Sequence, residues 1–214
     1  MKLGRILFIG IACAILISLS FTIVKGEIKT IKVGATMPSG DVKMSSTNDE
    51  KLSLSEQYGE NGLLVVFSCN TCPFVVGGKD TEGWEGRYNK VFELAEENKI
   101  NMVLVNSNAA RRDKGESLKE MKKRASGQGL KAAYLLDKGS VVADAFGART
   151  TPHVFLFNKE SKLVYAGAID DNVNNASAVK EQWTFDALKK LGNGEKIDPA
   201  QTRQKGCSIK RILK

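Results

Sequence analysis

The stretch "VVFSCNTCPFVV", Val65–Val76, sets two cysteines two residues apart between an apolar run and a proline. Upstream it belongs to "GLLVVFSC" (Gly62–Cys69), an unbroken apolar run of strand length that suits a central strand buried on both faces. Downstream, Pro73 suits the first turn of a helix, where no backbone N–H is required. Cys69 is therefore expected to end a strand, and Cys72 to lie in the first turn of the following helix. A helix start presents unpaired N–H groups and a partial positive charge. The dipole supplies ~0.3–1 kcal/mol and one pKa unit is ~1.4 kcal/mol, so dipole plus amide hydrogen bonds draw a thiol from ~8.5 towards neutrality. On this reading Cys69, at the edge, faces a substrate and attacks its disulfide. Cys72, shielded one turn in, resolves the mixed disulfide.

Two other uses of such a pair compete. A structural disulfide across a two-residue loop removes little chain entropy. A structural zinc site needs a second ligand pair, and the sequence offers only His153 and Cys207, far apart along the chain. Thiol exchange leads; metal binding is the second reading.

The chain has 214 residues, enough for one domain with a full core, and a formal charge of +8. Lys2, Arg5 and Lys25 lie in the first 26 residues, which leaves +5 on the remainder, with basic and acidic residues interleaved. That distribution argues against nucleic-acid binding. The opening segment, residues 1–26, has a basic start and an apolar run from Ile6 to Val24, with Val24 and Gly26 suitably placed for cleavage before Glu27. It reads as a secretory signal or as an uncleaved membrane anchor through residues 6–24, and both place the rest outside the cytoplasm, in the periplasm or on the outer face of the membrane. Cys13 lies mid-run without the pattern of a lipidation site. Only Cys69, Cys72 and Cys207 then lie beyond the leader, an odd number that excludes a disulfide-stapled scaffold.

Beyond the leader no repeat or low-complexity tract occurs. Glu27–Val33 is expected as a short strand, Arg87–Asn98 as a helix, Ile100–Asn108 as a second buried strand. A helix closed by glycine follows at Ser117–Gly129, then a strand at Ala132–Asp137 and a short helix ending at Gly147. Gly77, Gly78, Gly83 and Gly86 predict a broken helix after Pro73. "HVFLFNKESKLVYAGAI" predicts a hairpin, and Ala178–Leu191 the final helix. The alternation gives an α/β fold: a central mixed β-sheet with helices on both faces, in one domain over residues 27–192, followed by a polar C-terminal tail over residues 193–214 that carries Cys207.

A second constellation is "ARTTPHVFLF", with Pro152 directly before an apolar strand. Proline is tolerated at the first residue of a strand, and cis bonds occur in tight turns. Strand–CxxCP–helix, then "TTP" before a hairpin and a closing helix, resembles the thioredoxin fold over about Gly62–Leu191. More narrowly, "CNTCPFVVG", "GWEGRYN", "NSN", "TTPHVFLF", "GAIDDN" and "GCSIK" resemble exported thioredoxin-like, redoxin-domain proteins related to the peroxiredoxin and alkyl hydroperoxide reductase superfamily. The resemblance implies Cys69 as nucleophile, Cys72 as resolving cysteine and Pro152 as a cis-proline facing them. It also implies that Thr151 offers backbone hydrogen bonds to a bound substrate strand. The sequence departs from thioredoxins where they carry a buried acid (here Leu63) and a tryptophan before the pair (here Ser68), and in its Asn70-Thr71 dipeptide. The peroxidatic pattern P-x-x-x-T-x-x-C fits neither cysteine, which argues against a thiol-dependent peroxidase.

His153, the sole histidine, is a candidate for tuning the cysteines. With Cys69 and Cys72 it would also complete the ligand set of a copper-binding carrier, although assembly factors of that kind space their cysteines one residue wider. Cys207, in a Gly-Cys-Ser turn, is a candidate redox partner for Cys69 or a docking contact. Trp84 and Trp183 read as core or groove aromatics, and "AIDDN" (Ala168–Asn172) as a turn with capping roles. No cofactor and no resident metal is expected. The partners expected are protein disulfides or thiols and a thiol redox protein.

Overall fold

The computed structural model describes residues 28–212. The leader, its anchor reading and Cys13 lie outside the described residues. Among the described residues no helix is long and apolar enough to cross a membrane.

The strand predicted from Gly62 forms as β3 (Gly62–Ser68), with β4 (Ile100–Asn106) parallel beside it and β5 (Ala133–Leu136) parallel beyond. On the other side β3 pairs antiparallel with β7 (His153–Asn158), and β7 with β8 (Leu163–Gly167). A short hairpin, β1 (Met44–Ser46) and β2 (Lys51–Leu52), closes the far edge against β5. The seven-stranded sheet runs β2-β1-β5-β4-β3-β7-β8. It is a mixed sheet in the thioredoxin-like α/β class.

Every residue of β3 is buried, as its continuous apolar run requires. Its side chains divide by the two-residue strand period. Leu64 and Val66 join Met102, Leu104, Val154 and Leu156 on one face, under α2 (Tyr88–Glu97), α3 (Leu118–Gln128) and α5 (Trp183–Gly192). Leu63, Val65 and Phe67 join Val103, Val105, Phe155 and Phe157 on the other, under α4 (Val141–Phe146). Phe146 of α4 stands edge-on to Phe67, Phe155 and Phe157, with centroids 5.2–5.5 Å apart. Both cysteines of the opening motif join the first face.

The helix after Pro73 is broken, as its glycines predict. α1 (Pro73–Val76) is one turn with Cys72 as its N-cap, and it stops at Gly77, which adopts φ 84°. α3 begins as predicted, with Ser117 and Glu120 forming a reciprocal capping box, and ends on Gly129 in the left-handed conformation. Three expectations are corrected. Ile28–Val33 is not a strand; the Ile31 N–H donates to Phe146 O (3.1 Å) and Thr30 Oγ1 to Gly147 O (3.0 Å). Those bonds lead to the end of α4 and not to a sheet edge. The final helix starts at Trp183, five residues later than expected. The preceding segment is held extended by the loop after β8: Lys180 N–H bonds Asp171 Oδ1 (3.0 Å) and Asp171 N–H bonds Glu181 O (3.2 Å). Finally, the polar tail is structured. It crosses β8 through a bridge between Ala166 and Gln201, then forms β9 (Cys207–Ser208) against β6 (Thr150–Thr151).

Candidate active site

Cys69 follows the last residue of β3, and Cys72 caps α1. Each cysteine shifts the titration of the other. The Thr150–Pro152 loop lies directly against them: Cys69 Sγ and Thr151 Oγ1 are 3.1 Å apart, and the Cys72 thiol donates to Thr151 O at 3.2 Å. The Thr151–Pro152 peptide bond is cis. The residues expected to act together, Cys69, Cys72, Thr151 and Pro152, therefore converge where the C-terminal end of β3 meets the entry to β7.

Their exposure differs from expectation. Cys69 was to face a substrate and Cys72 to be shielded; in the structure Cys69 is 1 % exposed and Cys72 4 %. The cover is β9. Thr151, whose carbonyl accepts from the Cys72 thiol, pairs with Cys207, and Cys207 packs against the core cluster that holds both cysteines. Cys207 is thus brought to the site, where its influence falls on Cys72.

These contacts decide where charge sits. Cys69, Cys207 and the Thr151 hydroxyl favour the ionised form of Cys72 and hold its thiol down to about 5 against the opposing effect of burial. Thr151 O, 3.2 Å away, favours the protonated form. Ionisation is thus favoured at Cys72 over Cys69. The Cys69 thiol is pushed up by neighbouring Cys72, by burial and by the nearby Glu116 carboxylate. Burial and neighbouring Cys72 raise Cys207 to about 11. α1 is a single turn, so these neighbouring groups, more than a helix dipole, favour the ionised form of Cys72.

Glu116 is the site residue the sequence reading missed. Fully buried, it accepts from Asn70 N–H (2.9 Å), Thr71 Oγ1 (2.6 Å) and Asn106 Nδ2 (2.6 Å). Its carboxylate holds both residues between the cysteines. Thioredoxins place their buried acid on the strand before the pair; here that position is Leu63, and the acid arrives from the loop before α3. The signal was weak: one acidic residue preceding the Ser117 cap. Below Glu116, Tyr134 OH donates to Asn70 Oδ1 (3.1 Å), while Ser68 Oγ and Tyr88 OH share a hydrogen bond of 3.0 Å.

His153 does not reach the sulfurs. It precedes Val154, whose side chain is on the cysteine face, and its ring packs on the opposite face against Phe155, centroids 4.4 Å apart. Its Nδ1 accepts from Arg149 N–H (3.2 Å), and burial together with the Arg149 charge lowers its pKa to about 3. The cysteine–histidine ligand set of a copper carrier is therefore not assembled: the two-residue strand period turns the imidazole away. Among the described residues no group of three or more metal-ligating side chains is clustered.

Beside Gly206 a groove of about 560 Å³ is lined by Phe74, Trp84, Thr150, Trp183 and Arg203. Trp84 and Trp183 both line it, as groove aromatics. The "AIDDN" turn contributes more than capping. Asp170 is buried and accepts from Trp84 Nε1 (2.8 Å) and Arg87 Nη1 (2.6 Å), while Asp171 takes the capping role at Lys180 N–H.

A mixed sheet of this order, with a CxxC at the end of an inner strand facing a cis-proline loop, defines the thioredoxin-like fold. The chain belongs to the Redoxin family, whose model matches residues 32–181. An uncharacterized conserved protein of Geobacillus kaustophilus is similar at 28% identity, over 86% of this chain and 94% of that one, with a TM-score of 0.73. A hypothetical protein of Sinorhizobium meliloti 1021 is similar at 26% identity, over 87% and 98%, with a TM-score of 0.71. The peroxidoxin BcpB of Mycobacterium tuberculosis shares the fold, with a TM-score of 0.53 at 12% identity over 77% and 97%. No curated protein sequence matches the chain.

Proposed function

We propose that the protein is an exported thiol–disulfide oxidoreductase working through Cys69 and Cys72. The observation that carries this reading is the placement of the Cys69 and Cys72 sulfurs at the end of β3, 3.1 and 3.2 Å from Thr151 at the cis-proline loop. A substrate disulfide is cleaved by the Cys69 sulfur, forming a mixed disulfide and releasing one substrate thiolate, which takes up a proton. The Cys72 thiolate then attacks Cys69, forming the Cys69–Cys72 disulfide and releasing the second substrate thiol. The substrate gains two electrons and the protein loses them; a partner dithiol restores the reduced pair. In the covered state ionisation is favoured at Cys72 over Cys69. Withdrawing Cys207 from Cys72 and admitting water to Cys69 both shift charge towards Cys69, the cysteine the family resemblance makes the nucleophile. Thr151 offers its backbone to an extended peptide, and the aromatic groove beside it suits apolar side chains of a protein substrate. The basic start and apolar run of residues 1–26 support export, to the periplasm or the outer face of the membrane.

The test is insulin reduction by the purified protein with a dithiol reductant. Wild type is expected to accelerate it, and Cys69→Ser and Cys72→Ser to lose the activity. Activity that persists in Cys69→Ser, or a pair that does not cycle between dithiol and disulfide, overturns the reading.

A further inference from the structure

The C-terminal segment is fastened along its whole course. Ile209 N–H bonds Arg149 O (3.1 Å), Lys210 N–H bonds Asn108 Oδ1 (2.8 Å), and Arg211 Nη2 bonds Ala148 O (2.6 Å). Ile209, at 5 % exposed, is an apolar anchor in the core cluster of the α4 face. Gly206 lies so close to Thr151 that a Cβ there would collide with the Thr151 carbonyl oxygen. Only glycine lets this strand approach the loop so closely.

The place it fills is telling. β6 is a short strand whose backbone lies against two redox sulfurs, and an extended peptide pairing with such an edge sets one side chain over them. Here the edge is taken by β9 of the same chain, and the residue it presents is a cysteine. The three sulfurs have a definite order. The Cys72 thiol donates to the carbonyl of Thr151, the residue that Cys207 pairs with, whereas Cys69 meets the Thr151 hydroxyl; Cys72 and Cys207 each shift the titration of the other, as do Cys72 and Cys69. Thiol–disulfide exchange needs this arrangement: a central sulfur with an attacking and a leaving sulfur on either side.

We propose that residues 206–209 are a built-in substrate strand and that Cys207 is a third redox cysteine, taking Cys72 over from the Cys69–Cys72 disulfide. The inference rests on the exchange reading, which supplies that disulfide. Cys207, deprotonated, attacks Cys72 Sγ; the Cys69–Cys72 bond breaks as the Cys72–Cys207 bond forms. Cys69 leaves as a thiolate and takes up the proton that Cys207 gave up. No electron enters or leaves, so no external oxidant is involved. The new bond pins the strand across the edge where an outside peptide would pair. An external dithiol that reduces it removes that covalent tie.

Disulfide mapping tests the assignment on the full chain. Wild type, Cys69→Ser and Cys72→Ser are incubated with oxidised glutathione, quenched in acid and digested with trypsin without reduction. In Cys69→Ser the peptide 52–79 is expected joined to peptide 206–210, with glutathione released and the Cys72 and Cys207 thiols both lost to alkylation. In Cys72→Ser the two peptides are expected separate, each carrying glutathione or a free thiol. If Cys69→Ser instead carries glutathione on Cys72 while Cys207 stays fully alkylatable, the proposal is overturned. A joined peptide in Cys72→Ser overturns it as well, by making Cys69 the partner. Circular dichroism of each variant confirms the native fold before mapping. Insulin reduction is scored separately: its absence in wild type removes the exchange reading, whereas a missing joined peptide alongside normal insulin reduction removes only the role of Cys207.

Discussion

The Glu116 carboxylate accepts hydrogen bonds from Asn70, Thr71, Asn106 and Asn108, all at or beside the CxxC loop. Its negative charge also raises the Cys69 thiol. Glu116→Gln keeps the shape but turns an amide NH₂ towards donors. It is expected to cost about 1–3 kcal/mol in urea unfolding, because a buried donor is left without an acceptor. It is also expected to shift the pH profile of Cys69 alkylation downwards, which a purely structural role would not do. His153 gives the second residue-scale prediction. Its folded pKa is about 3, against an ordinary value of 6.5. Above 6.5 both states are neutral there and nothing is gained or lost. As pH falls below 6.5 the unfolded chain takes up a proton the folded one refuses, so stability drops by up to ~1.4 kcal/mol per unit. His153→Asn, whose Oδ1 can still accept from Arg149 N–H, is expected to flatten the urea midpoint between pH 6.5 and 5. A wild-type midpoint already flat in that window contradicts it.

At the scale of elements the decisive pairing is β6 with β9, two residues each, held by the close approach of Gly206. Gly206→Val is expected to push β9 off the Thr151 loop, since the added side chain meets backbone that cannot yield. Withdrawal of Cys207 should then raise the Cys72 thiol from about 5, and iodoacetamide should reach Cys69 and Cys72 several-fold faster than in wild type. An unchanged rate would mean that the strand does not shield the pair. The CxxC junction and the hairpin were legible in the sequence because unbroken apolar runs and proline punctuation are local signals. The partner of β6 was not, because "GCSIK" holds too few apolar residues to read as a strand. Its bonds come from Thr151, Arg149 and Asn108, far away in the chain. The same cause hid the extended lead-in to α5, which loop hydrogen bonds override.

For the molecule as a whole, one buried ion pair joins regions that no strand connects. Arg87 Nη1 lies 2.6 Å from Asp170 Oδ2, both nearly inaccessible, and ties the turn before α2 to the loop after β8 beside the aromatic groove. Asp170→Asn leaves the buried Arg87 charge with only the exposed Glu82 carboxylate, 3.5 Å from its Nη2, as a counter-ion. It is expected to cost about 3–5 kcal/mol in thermal or urea unfolding, measured alongside Trp84 fluorescence. Asp170→Asn with Arg87→Met is expected to cost less than the two single changes added together, as coupled neighbours do. Strict additivity would show that the pair does not act as a unit.

Residues 62–76 carried the strand, the turn and the cysteine pair in their own local pattern, and the alternation of apolar runs along the chain carried the sheet with its covering helices. Those features are set by side-chain period and by proline and glycine, and they need no distant partner. The setting of the sulfurs arose only on folding. Strand period sent His153 to the far face; the loop before α3 delivered Glu116 beneath Asn70 and Thr71; and a polar tail returned Cys207 to Cys72. The ionisation of Cys72 depends on the groups close around its sulfur, and Cys207, 135 residues further along the chain, is one of those that favour it.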